Sequence, residues 1–167
     1  MVDVIDWADW ERRVAELWAA FDTMDGESFV ARIDALAAEL PAGHAVGLFE
    51  RASAQDSTGH ETKAEPLYRQ ALENGLQGIR RRRATIQLAS TLRNIGRADE
   101  GVALLTAERD KPSDELDDAV AAFLALCLVD TGQAQQAATL ALGSLSRHLP
   151  RYNRSLKRYA EMLLPES

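Results

Sequence analysis

Residues 58–72 read TGHETKAEPLYRQAL. Gly59 opens a turn, and in the helical run that follows Ala64, Tyr68 and Ala71 fall on one face. Small residues at fixed points on a helix let another backbone come close, so this stretch reads as a helix built to cross its neighbours. The pattern recurs. Gly26, Gly59, Gly96 and Gly132 are spaced by 33, 37 and 36 residues. Seven residues before each stands Ala19, Ala52, Ala89 or Ala125, and five residues after each stands Ala31, Ala64, Gly101 or Ala137. Twelve residues on, the second copy's Ala71-Leu72 is matched by Ala38 in the first and Ser144 in the fourth, and Glu108 breaks the series in the third.

Each copy is expected to be two antiparallel helices joined by a glycine turn. The small residue of the first helix marks the crossing, and those of the second helix admit the next unit. Leu88, Leu92, Leu124, Leu128 and Tyr68 fill the spaces between. One such hairpin cannot bury its apolar face alone, whereas stacked hairpins can. Helical periodicity runs through the chain and strand signals are nearly absent. The spacing predicts helices over roughly 4–22, 27–40, 44–57, 60–74, 79–95, 98–110, 114–131, 134–148 and 151–163.

The period near 34, the glycine turn and the succession small, small, Tyr, small-Leu resemble the tetratricopeptide repeat (TPR). The likeness is strongest in residues 58–72 and in LASTLRNIGRADEGVALL, residues 88–105, and weaker over 119–149 and 1–40. The whole chain resembles short stand-alone bacterial TPR proteins. The resemblance implies an all-α, right-handed superhelical stack of antiparallel helix pairs, a TPR-like α-solenoid. Its expected parts are a degenerate N-terminal hairpin at 1–41, three repeats at 42–149 and a C-terminal capping helix at 150–167. Arg51 and Gln55 stand where the family prefers apolar residues. The apolar stripe Trp7, Trp10, Val14, Leu17, Phe21 lies one residue out of the repeat register.

Composition narrows the function. The chain has 167 residues, 46% of them hydrophobic, and a net charge of −7. Residues 1–40 hold ten acids and three bases, and the sixteen acids and sixteen bases that remain cancel, so the first forty residues carry the net charge. That balance argues against nucleic-acid binding, which needs a basic face. No apolar run reaches the roughly 18 residues of a membrane span, and residues 1–11 lack the pattern of a signal peptide. Cys127 is the single cysteine, in an apolar context. A cytoplasmic protein without cofactor or metal is expected.

Catalysis is not expected. His44, His60 and His148 share no motif, and HExxH, GxSxG and glycine-rich phosphate loops are absent. Ser53, Asp56 and His60 are close in sequence, but closeness along one helix and its turn is not triad geometry. Asp56 or Ser57 is expected to satisfy turn amides instead.

The resemblance implies that the first helices of the pairs line a concave groove. Arg83, Gln87, Ser90 and Asn94 share one face of the fifth helix, opposite the packing stripe Leu88, Ala89, Leu92 and Ile95. An Arg, two amides and a hydroxyl suit a peptide backbone or a carboxylate. Glu50, Ser53 and Asp56 or Ser57 would add acid from the third helix, and Phe123, Leu126 and Asp130 an apolar section from the seventh. The expected function is a non-enzymatic interaction module that binds a peptide or helix of a protein partner. The Lys and Asn of the peptide-end clamp found in some relatives are missing, so that specificity is not implied. The alternative is a homo-oligomer joined through the acidic N-terminal hairpin and the basic C-terminal helix. In that last helix Tyr152, Leu156, Tyr159 and Leu163 form an apolar stripe, expected to be covered by the fourth pair, beside Arg147, Arg151, Arg154 and Arg158. Arg80–Arg83 read as a solvated patch answered by acids such as Glu73. Trp7 and Trp10 read as core, with Trp18 at the stripe's margin.

Overall fold

The computed structural model describes residues 5–164. Among them there are nine α-helices and no strand: α1 (Trp7–Ala19), α2 (Gly26–Ala38), α3 (Ala45–Ser57), α4 (Glu61–Glu73), α5 (Gly78–Asn94), α6 (Ala98–Arg109), α7 (Asp117–Asp130), α8 (Ala134–Ser146) and α9 (Asn153–Glu161). A short 3-10 turn, Phe21–Thr23, follows α1. The expected helices are all present, with α7 starting three residues later than the sequence suggested. There the Ser113–Asp117 segment forms side-chain-capped turns, with the Asp114 carboxylate accepting the Leu116 N–H (2.8 Å).

One turn joins the helices of the α3–α4, α5–α6 and α7–α8 pairs, and it recurs after α4, where Gly75 has φ 84° and the Leu76 N–H reaches the Ala71 carbonyl (3.1 Å). Gly59, Gly96 and Gly132 adopt φ of 77°, 82° and 80°, the left-handed region where a Cβ is strained. Each lies just past a helix end. The next residue's N–H then reaches back five positions: His60 to the Gln55 carbonyl (2.9 Å), Arg97 to Leu92 (2.8 Å) and Gln133 to Leu128 (2.8 Å). This is the glycine-terminated cap that satisfies a helix's last carbonyls while reversing the chain. The turn amides are therefore held by backbone carbonyls, not by the Asp56 or Ser57 side chain as expected.

The structure divides into two compact units, residues 1–84 and 85–167. In the second unit Ile86, Ala89, Leu105, Val120, Leu124, Ala125, Cys127, Leu128 and Ala137 form one buried cluster. The small positions work as expected here. A Cβ added at Gly101 would stand 2.8 Å from Cys127 Sγ and 3.1 Å from the Ala89 carbonyl oxygen, so α6 crosses α5 at backbone contact. Ala125 and Ala137 are buried in α7 and α8, which pack together. Glu108, at the position where the small series breaks, is buried with its carboxylate 3.5 Å from Lys111 Nζ. In the first unit Ala52, Ala64 and Ala71 are fully buried in the α3–α4 pair.

The first hairpin departs from this plan. Gly26 does not end a helix: it is the first residue of α2, after Asp25, whose side chain accepts the Ser28 N–H (2.8 Å). Ala19, Ala31 and Ala38, the expected small-residue contacts, are exposed. The two helices meet instead through rings. Trp18 packs on Phe29 and Phe21 on Phe29, each at 4.8 Å between ring centroids. Trp10 is fully buried, and its indole N–H donates to the Leu36 carbonyl oxygen (2.9 Å). Trp7 is not core as expected. It is exposed, edge-on to Trp10 and beside His44.

The C-terminal stripe is also corrected. α9 packs on α8 through Ala160 and half-buried Leu156, and the Thr139 hydroxyl donates to the Ala160 carbonyl (2.9 Å). Tyr152, Tyr159 and Leu163 remain exposed.

Candidate interaction surface

In the first unit, the acids expected on α3 are mostly engaged. Glu50 is only 4% exposed. The Trp18 indole N–H donates to its Oε2 (2.8 Å) and Arg80 Nε to its Oε1 (3.2 Å). Arg80 is held further by a two-pronged pair to Glu11 at 2.8 and 2.6 Å, the geometry a planar guanidinium favours. That bond from Arg80 holds the Glu11 carboxyl below the ordinary carboxylate range. For Arg80, the first of the arginine run, the partners are not Glu73 but acids 30 and 69 residues distant in sequence, pairings that no local pattern announces.

Ser53 is buried. The Tyr68 hydroxyl lies 3.5 Å from Ser53 Oγ and 3.3 Å from Asp56 Oδ2. Burial pushes the Tyr68 phenol well above its usual range, with the nearby Asp56 charge adding to it. His60 turns away to the Thr58 hydroxyl (2.9 Å), so Ser53, Asp56 and His60 are not assembled for proton relay. Arg83 is exposed, with its guanidinium 5.2 Å from the centroid of the Phe49 ring, a cation–π contact.

In the second unit, α5 and α7 lie side by side. Arg93 pairs with Asp130 (2.7 Å), and the Cys127 thiol faces the Ala89 carbonyl (3.9 Å). Burial raises the Cys127 thiol pKa, which disfavours the nucleophilic thiolate. Of the expected polar face, Gln87 and Ser90 are half-buried and Asn94 is exposed. Gln87 Oε1 is a buried acceptor with no hydrogen-bond donor among the described residues. On α7, Phe123 is packed partly into the core, while Leu126 and Val129 are 44% and 54% exposed. Val129 was not singled out in the sequence, although it stands three residues beyond Leu126 on the same face.

The unit's repeated small residues, glycine caps and paired helices find a counterpart in a family model described as tetratrico peptide repeat, which matches residues 45–163. The chain belongs to the tetratricopeptide repeat family. No curated protein and no solved structure matches the chain. The TPR match begins at the first residue of α3 and leaves α1 and α2 outside it, in line with the different construction of that hairpin. TPR membership brings with it the general role of a protein–protein interaction module. Among the described residues no helix is long and apolar enough to cross a membrane.

Proposed function

We propose that this TPR chain is a non-catalytic interaction module, and that a peptide or helix of its partner lies along α5 and α7 of the second unit. The observation that carries this reading is the exposure of Leu126 and Val129 on α7 and of Asn94 on the neighbouring α5. Two aliphatic side chains in water supply burial on binding. Amide groups on α5 supply directed hydrogen bonds to a ligand backbone. Gln87, Ser90, Asn94, Phe123, Leu126 and Asp130 are the contact residues of the proposal. Of the other expected contacts, Glu50 and Ser53 are buried in the first unit. Self-association through the acidic N-terminal hairpin is less well supported, because its acids are engaged at home. Asp9 and Glu16 pair with Arg12, Glu39 with Arg13, Asp34 with Arg51 and Glu11 with Arg80.

The test is capture of bound proteins from the native lysate, followed by titration of the identified partner. Leu126→Asp with Asn94→Ala should weaken that partner by about tenfold or more, about 1.4 kcal/mol, with the circular dichroism unchanged. Undiminished binding by the double variant would overturn the assignment to α5 and α7.

A further inference from the structure

α4 ends in Asn74 followed by Gly75, the only Asn-Gly pair in the chain. The other two asparagines, Asn94 and Asn153, precede Ile95 and Arg154. Asn74 is exposed, with φ −79° and ψ 10°. Its Nδ2 donates to the Gly43 carbonyl oxygen (2.7 Å), 31 residues back in the loop between α2 and α3 of the same unit. The contact is close, since a Cβ added at Gly43 would stand 3.4 Å from Asn74 Nδ2. The backbone beyond Asn74 is held as well. The Gly75 N–H donates to the Leu72 carbonyl (3.1 Å) and the Leu76 N–H to the Ala71 carbonyl (3.1 Å). Gln77 Nε2 donates to the Gly75 carbonyl (3.0 Å).

Glycine has no Cβ to shield the backbone nitrogen that follows an asparagine, so this pair is set for attack on its own side chain. We propose that Asn74–Gly75 is a site of spontaneous deamidation, gated by opening of the turn after α4, and that the product unties this turn from the α2–α3 loop. A solvent base takes the Gly75 amide proton, and the nitrogen attacks Asn74 Cγ. The Cγ–Nδ2 bond breaks, and the carboxamide nitrogen takes a proton from water and leaves as ammonia. Water opens the resulting cyclic imide. Cleavage at Cγ gives an aspartate at position 74, and cleavage at the main-chain carbonyl carbon gives an isoaspartate whose backbone runs through Cγ. Ring closure needs the Gly75 nitrogen to eclipse Cβ, far from the observed ψ of 10°. That rotation breaks the Gly75 and Leu76 hydrogen bonds and draws Nδ2 off the Gly43 carbonyl. The closed turn is thus unreactive, and the reaction belongs to its locally opened state. Once it has occurred, the Nδ2 donor is gone. A carboxylate offers only acceptors to the Gly43 carbonyl, so the tie does not re-form.

The full chain is incubated in mildly alkaline buffer, with and without denaturing urea, and digested for mass spectrometry. We expect conversion at Asn74, split between aspartate and isoaspartate, well ahead of any at Asn94 or Asn153. The mass change separates it from isomerisation at Asp25–Gly26, which leaves the mass unchanged. Urea should speed the conversion by about tenfold or more, which corresponds to about 1.4 kcal/mol of turn opening. Gly75→Ala should slow the reaction in urea, where the strain of the folded turn plays no part. Asn74→Asp, which carries the product's side chain from the start, should speed amide hydrogen exchange in the α2–α3 loop. Absence of conversion at Asn74 in urea, or conversion at Asn94 or Asn153 at the same rate, would overturn the proposal. Equal rates with and without urea would remove the gate, and unchanged loop exchange in Asn74→Asp would remove the tie; either result overturns the proposal as stated.

Discussion

The α1–α2 hairpin and the α5–α6 pair have the same outline, two antiparallel helices and a short turn, but opposite construction. In α5–α6 the crossing is made by subtraction. Ala89 and Gly101 leave so little side chain that the backbones touch, and Gly96 turns the chain with a conformation that other residues resist. In α1–α2 the space is filled. Trp10, Trp18, Phe21 and Phe29 occupy the interface, and Asp25 rather than a glycine sets the start of the second helix. Filled interfaces tolerate spacing changes that close backbone crossings do not, because aromatic side chains can repack while a backbone contact has no slack. The small-residue plan is the one that can be repeated in register, and the family match follows it.

Substitutions sharpen this contrast, and the largest effect belongs to the filled interface. Trp10→Ala removes a fully buried ring and should cost about 3–5 kcal/mol, seen as a lowered urea midpoint. A loss below about 1 kcal/mol would mean the hairpin does not depend on its aromatic packing. Next comes Gly101→Ala, whose added methyl meets Cys127 and the Ala89 carbonyl. We expect a loss of about 1–3 kcal/mol, against less than about 0.5 kcal/mol for Ala31→Leu at the nominally matching but exposed site. Gly96→Ala should cost about 1 kcal/mol or somewhat more, since its φ of 82° opposes a Cβ. Gly26→Ala, on helical backbone, should cost less, and thermal melts of the two variants make the comparison. The smallest effect is on pH dependence. Because Arg80 lowers the folded-state pKa of Glu11, the pair contributes stability above the ordinary carboxylate range and loses it as pH falls through the folded value. Glu11→Gln should therefore make the acid limb of the stability profile shallower, with little added change between pH values near neutrality.

The repeat was legible because its signals are local and redundant. A left-handed glycine, an alanine seven before it and a small residue five after it lie within one hairpin, and the three later copies agree. The first copy shows the limit of that reading. Alanine is common in any helix, so Ala19, Ala31 and Ala38 matched by coincidence. Spacing from a glycine cannot tell a helix-ending Gly59 from a helix-starting Gly26. The aspartate before Gly26 was the available cue, since an Asp at that place is a helix N-cap. The Glu50–Trp18–Arg80–Glu11 network was not legible at all, because its members come from helices far apart in sequence. On the proposed binding surface, periodicity grouped Gln87, Ser90 and Asn94 on one face, but burial, which separates Glu50 from Asn94, depends on packing that no single helix encodes.

The central claim is that the small-residue register shapes the chain from α3 onward and not before it. Equilibrium unfolding of Ala89→Leu beside Ala19→Leu tests it most directly, as both alanines stand seven residues before a glycine. Ala89 is fully buried and Ala19 exposed. The account predicts a loss on the order of 1–3 kcal/mol for Ala89→Leu and a midpoint indistinguishable from the parent for Ala19→Leu. Equal losses at the two sites, or an unchanged midpoint for Ala89→Leu, would contradict it.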